Sequence, residues 1–184
     1  MGTAADQQAA VACPSEFQST HQPLCVVKIR RPASATRPKI IAVSSGGGHW
    51  VQLLRLRPAF EGCEVTFVTT RLSYRADVGS APFRVVPDSN NSHKFRFLLT
   101  AAALLWVLAL ERPDIVVSTG AAPGFFGIWL GRLIGARTIW IDSVANAEVL
   151  SLAGRKIGPL TDLWLTQWPH LATKNGPLFH GSVI

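Results

Sequence analysis

A parallel α/β sheet covered by helices on both faces is the fold class this sequence predicts. Three observations predict it. Short apolar, β-branched runs alternate with segments whose apolar residues recur at helical spacing; the first run passes directly into three glycines; and two later runs end in turns of small or hydrogen-bonding residues.

The first strand is read at 39–44. It is followed by Ser45-Gly46-Gly47-Gly48-His49 and a helix over 50–56. Glycines there let the backbone turn sharply and approach a ligand, while the free N–H groups and positive dipole end of the helix favour an anion, for which phosphate is the natural guest. The run is not G-x-G-x-x-G, and the second strand, 64–70, leads to Arg71 with no acidic residue to hold a ribose hydroxyl, so an ordinary dinucleotide site is disfavoured. No Gly-Lys-Ser/Thr follows, which removes the Walker pattern as well.

A third strand is expected near 83–87, then a polar loop over 88–93 and a long apolar helix over 94–111. Its uncharged stretch, Phe97 to Leu110, is bracketed by Lys94, Arg96 and Glu111 and falls short of the roughly 20 residues that span a bilayer. Core packing and partial insertion into a headgroup layer both remain open for it. The fourth strand, 114–118, ends in Ser118-Thr119-Gly120-Ala121, with a helix over 123–134 behind it. The fifth, 137–141, ends in Asp142-Ser143-Val144-Ala145-Asn146. Trp164 and Trp168 in the stretch 163–169 read as core and interface anchors. If strands one, four and five are neighbours, all three loops line one crevice beyond the carboxyl ends of the strands, as in a Rossmann-like sheet.

Within that crevice His49 is a candidate general base or diphosphate ligand, the alternative being a cap on its own helix. Asp142 is a candidate base or hydroxyl-orienting group, the alternative being a turn cap.

Composition fits these readings. The chain has 184 residues, 48% of them apolar, and a formal charge of +7. Residues 1–38 carry four basic and two acidic side chains, with too little apolar material to offset ordering, and read as a flexible basic tail; residues 39–184 form the single folded domain and are themselves basic. That balance suits phosphorylated substrates or anionic lipid. Nucleic acid is disfavoured, since no basic motif interleaved with aromatics is present. Cys13, Cys25 and Cys63 are odd in number and widely spaced, so neither a disulfide framework nor a metal site is expected, and a reduced compartment is. No charged start followed by an apolar core marks a signal peptide.

The glycine run with His49, the Ser118–Ala121 turn, the Ile141-Asp142-Ser143 loop and the 163–169 segment, in that order, resemble the acceptor-side subunits of two-part GT-B glycosyltransferases. These are the subunit that binds the lipid acceptor and anchors the N-acetylglucosaminyltransferase of dolichol-linked oligosaccharide synthesis, and its bacterial exopolysaccharide counterparts. The resemblance implies a domain equivalent to the N-terminal half of a GT-B enzyme, inactive alone. A separate partner would hold the UDP-sugar donor, so no cofactor or metal is expected on this chain.

A polyprenyl-diphosphate-linked acceptor is then expected on Ser45, Gly46, Gly47, Gly48, Ser118, Thr119, Gly120 and Ala121, with its sugar near Ser143 and Asn146. His49 or Asp142 would take the hydroxyl proton, and Arg71, Arg75, Lys94 and Arg96 would contact an anionic membrane. The eukaryotic members begin with a spanning helix. Here the start is polar and basic, so peripheral attachment at the cytoplasmic face is expected. Two other classes stay in contention: a non-catalytic scaffold that recruits the partner, and a free-standing nucleotide binder.

Overall fold

The computed structural model describes residues 37–88 and 94–183, with only the backbone of Lys94. The expected flexible tail lies outside the described residues apart from Arg37 and Pro38, and so does most of the polar loop over 88–93.

Seven parallel strands form one sheet: β1 (Lys39–Val43), β2 (Glu64–Thr69), β3 (Phe83–Val85), β4 (Ile115–Ser118), β5 (Arg137–Ile141), β6 (Leu163–Thr166) and β7 (Leu178–Phe179). Their order is β3-β2-β1-β4-β5-β6-β7, so the direction of winding reverses between β1 and β4. The expected adjacency of strands one, four and five is present, with Val43 beside Ser118 and Ser118 beside Trp140 in register.

Alternation along the strands sorts the core. Ile41, Val43, Val68, Val116 and Trp140 face one side, and Ile40, Ala42, Phe67, Val117 and Ile141 face the other. The first side is covered by α2 (Lys94–Glu111), α3 (Ala121–Leu133) and α4 (Leu152–Ile157), the second chiefly by α1 (Gly48–Arg55) and the 3-10 turns that follow it.

Three glycines let helix α3 pack directly against the sheet. A Cβ on Gly127 would stand 2.7 Å from Val43 Cγ1, and one on Gly131 2.7 Å from Val116 Cγ2. One on Gly124 would collide with Ser118 Oγ. Spaced three and four apart, these glycines bring the start of α3 down onto the β1/β4 reversal. Pro123 costs the helix nothing in its first turn, where an N–H has no intrahelical acceptor.

The structure corrects the sequence reading at the carboxyl side. The 163–169 stretch contains a strand, β6, rather than anchors alone, and β7 and α4 were not expected. All three are short; β7 has two residues and α4 six, too few to display a period. Asp162 ties β6 to β5: its Oδ2 accepts from the Thr138 N–H at 2.7 Å and from the Thr138 hydroxyl at 2.9 Å. The backbone bond chiefly, with the hydroxyl and the Arg132 and Arg137 charges, holds this carboxyl below its ordinary pKa against a smaller opposing effect of burial.

Helix α2 is apolar on every side. Leu104, Val107 and Leu108 enter the core, while Phe95, Leu98, Leu99, Leu105, Trp106 and Leu110 face outward, Trp106 at 73% exposure. No helix among the described residues is long and apolar enough to cross a membrane.

Candidate functional site

The crevice at the carboxyl ends of β1 and β4 is built mainly of backbone. Gly47 has φ +71, a conformation that penalises any side chain, and a Cβ on Gly47 or Gly48 would meet nothing within 4 Å. The peptide there faces open space. The N–H groups of Gly48 and His49 lie in the first turn of α1 and have no intrahelical acceptor.

The second turn leans on the first. His49 Nδ1 lies 2.9 Å from the carbonyl oxygen of Thr119, and the Thr119 hydroxyl donates to the His49 carbonyl at 2.7 Å. A carbonyl can only accept, so Nδ1 carries a proton, and Nε2 is the ring nitrogen left to act as an acceptor. No described residue bonds to Nε2. Gly120, at φ +131, makes this contact possible, because a Cβ there would stand 2.6 Å from His49 Cε1. Ala121 follows at φ +62, a strained value for a residue with a side chain.

Several expected ligands have another job. Ser118 and Thr119 are fully buried, and the Ser118 hydroxyl accepts from the Gly120 N–H at 3.1 Å, so both side chains build the turn rather than face a ligand. Asp142 is placed as the turn-cap alternative describes. The residue is 2% exposed, and its carboxylate accepts from Ser143 N–H (2.9 Å), Asn146 Nδ2 (2.9 Å) and Ser151 N–H (3.1 Å). The Ser143 side chain is buried and accepts from Ala145 N–H at 3.3 Å; the Asn146 amide nitrogen is spent on Asp142.

The four basic residues assigned to a membrane also divide. Arg75 is fastened to the carbonyls of Gly79 and Ala81 and lies over the Phe83 ring. Arg71 lies against the glycine loop instead, its Nε 2.9 Å from where a Cβ on Gly46 would be. Arg96 is exposed at the start of α2, and the Lys94 side chain lies outside the description. Ser45 is half-buried at the end of β1.

Two residues were not singled out from the sequence. Gln52, buried on α1, donates to the Asp142 carbonyl at 3.1 Å and accepts from Val144 N–H at 3.2 Å, tying the first helix to the third loop. A lone glutamine three positions past a histidine carries no pattern that marks it. Tyr74 accepts from Gly47 N–H at 2.9 Å. A cavity of about 620 Å³ lies at the other end of the sheet, among Phe60, Cys63, Phe67 and Pro82, and takes no part in this arrangement.

A parallel sheet whose crevice is made of two interlocked backbone turns at the winding reversal has the Rossmann-like fold of GT-B glycosyltransferases. MurG of Acinetobacter baumannii superimposes with a TM-score of 0.64 at 14% identity, over 78% of this chain and 45% of that one. By sequence the chain is similar to proteins named UDP-N-acetylglucosamine transferase subunit ALG14. The Yarrowia lipolytica protein is 25% identical over 178 residues, covering 81% of this chain and 82% of its own length. That of Schizosaccharomyces pombe is 34% identical over 85 residues, 44% of this chain and 40% of its own length. No protein-family model matches the chain.

Proposed function

We propose that this chain is the acceptor-binding subunit of a two-component glycosyltransferase that moves a sugar from a UDP-sugar to a polyprenyl-diphosphate-linked glycan. The names of its relatives favour N-acetylglucosamine over glucose or glucuronate as the sugar. The observation that carries the reading is the coupling of the Gly46–Gly48 loop to the Gly120 turn through His49, which sets bare peptide donors and one unengaged imidazole nitrogen in the same crevice. Fixed N–H dipoles bind the diphosphate with little reorganisation, and His49 Nε2 accepts the proton of the attacking hydroxyl. Asp142 holds the third loop in place. The donor site belongs to the partner.

The test is reconstitution. The chain alone is expected to transfer no sugar, and to do so once the separate donor-binding subunit is added. Gly47→Val should keep the partner bound and weaken acceptor use by about tenfold or more, since valine is strained at φ +71 and covers the exposed peptide. Transfer by the chain alone, or an unaltered Gly47→Val pair, would end this reading.

The outward face of α2 supports peripheral attachment to the cytoplasmic face of a membrane. Phe95, Leu98, Leu99, Leu105, Trp106 and Leu110 form a continuous apolar stripe, and Arg96 lies near its crevice end. A stripe of that kind lies in the headgroup boundary rather than spanning it. Trp106→Glu is expected to lower sedimentation with anionic phospholipid vesicles by about tenfold, the loss of one buried aromatic. Folding should be unaffected, since Trp106 is exposed. Equal sedimentation of the two proteins would remove α2 from the membrane contact.

A further inference from the structure

Arg71 is the cation the fold leaves free beside the glycine loop. It follows β2 in extended backbone, φ −129 and ψ 123, just before the 3-10 turn Leu72–Val78. Its neighbours in charge are engaged: Arg55 donates to the Val183 carbonyl, Arg57 to that of Asp77, Arg75 to those of Gly79 and Ala81, and Arg84 to Glu111. The Arg71 carbonyl accepts from the Tyr74 N–H at 3.4 Å, but its guanidinium makes no hydrogen bond or ion pair among the described residues. Its side chain nonetheless lies along the loop, with Nε 2.9 Å and Cδ 3.1 Å from the Cβ that Gly46 lacks. The absence of a side chain at Gly46 admits the arginine as well as a ligand.

Tyr74 stands beside it, its hydroxyl 3.2 Å from that same point. The ring is stacked on Trp50, centroids 5.2 Å apart and planes within 11°, and the Trp50 indole N–H donates to Asp77 Oδ2 at 2.8 Å. The phenol is therefore held in one position. Accepting from Gly47 N–H occupies a lone pair and leaves the hydroxyl proton to donate elsewhere.

Resting on the reading of this crevice as the acceptor-diphosphate site, we infer that Arg71 and Tyr74 are ligands of the diphosphate, the arginine to its non-ester oxygens and the tyrosine through its hydroxyl proton. The sequence reading placed Arg71 at a membrane. The geometry gives it to the substrate. A guanidinium fork matches two phosphate oxygens at once, whereas the backbone donors of Gly48 and His49 supply no net charge. Arg71 thus adds a full positive charge, which the more highly charged diphosphate feels more strongly than a monophosphate does.

The experiment measures binding of farnesyl diphosphate and farnesyl monophosphate to the complex of the full chain with its donor-binding partner, for the wild type, Arg71→Ala, Arg71→Lys, Tyr74→Phe and Gly47→Val. Arg71→Ala is expected to raise Kd for the diphosphate about tenfold and that for the monophosphate less than about threefold, within the range of a charge-assisted hydrogen bond. Arg71→Lys should recover part of the loss, and Tyr74→Phe should weaken the diphosphate by about threefold. Melting of the Arg71 variants should match the wild type, because no protein partner is lost. If Gly47→Val loses the diphosphate while Arg71→Ala binds it as the wild type does, or if Arg71→Ala weakens both probes equally, the inference fails and the proposed function stands. If the wild type binds neither probe, both fall.

Discussion

His49→Ala is expected to lower turnover of the reconstituted pair by about two to four orders of magnitude, the range a positioned general base contributes. The ring does two things: Nδ1 donates to the Thr119 carbonyl and Nε2 is left to accept a proton. Alanine removes both, so its effect alone does not separate chemistry from architecture. His49→Asn does. Its amide nitrogen falls where Nδ1 stood and can still donate to Thr119, while nothing replaces Nε2. Both variants should lose turnover, whereas only alanine should lose the roughly 1 kcal/mol of stability that one intramolecular hydrogen bond brings. Single-turnover rates with the acceptor bound, together with thermal melting of each variant, check this. Wild-type turnover in His49→Asn would leave the histidine as a clasp between two turns.

That pairing also shows which parts of the site the sequence made legible. The strand, glycine turn and helix at 39–56 were readable because a β-branched run, three glycines and a helical period occur in immediate succession. The adjacency of β1, β4 and β5 followed from winding order. The Ser118–Ala121 turn was recognised as a turn, but its inward-facing side chains were not, because a serine or threonine at a strand end reads alike whether it caps the backbone or faces a ligand.

What decided that point lies elsewhere in the chain. The Gly124, Gly127 and Gly131 spacing draws α3 against the sheet and closes over Ser118, and the sequence shows it to anyone asking which helix face must be thin. Arg71 was out of reach for a different reason. A surface arginine after a strand is read as a membrane contact until it is known to lie against Gly46. The short β6, β7 and α4 carry too few residues to show a period, so their places are set by contacts: Asp162 for β6, and for α4 the Ser151 cap that accepts from Gly154 N–H at 2.8 Å.

Asp142→Ala is expected to destabilise the chain by about 3 kcal/mol, lowering Tm by about 6–12 °C for a protein of this size. The carboxylate is buried and meets three donors: the N–H groups of Ser143 and Ser151 and the side-chain amide of Asn146. Alanine strands all three. Because Ser151 also caps α4 and the Asp142 carbonyl receives Gln52 from α1, the loss loosens the third loop from both of its supports. Asp142→Asn retains an oxygen toward Ser143 and Asn146 but turns an N–H₂ toward the Ser151 N–H, so a smaller loss of about 1–2 kcal/mol is expected. A catalytic base behaves differently: replacing it removes turnover and leaves melting untouched. Denaturant titration of both variants, set beside turnover at a temperature where each is folded, separates the two roles. Folded Asp142→Asn should retain turnover within about tenfold of wild type, well short of a general base's contribution. Unchanged melting with abolished turnover would return the proton transfer to Asp142 and leave His49 as the residue that aligns the two turns.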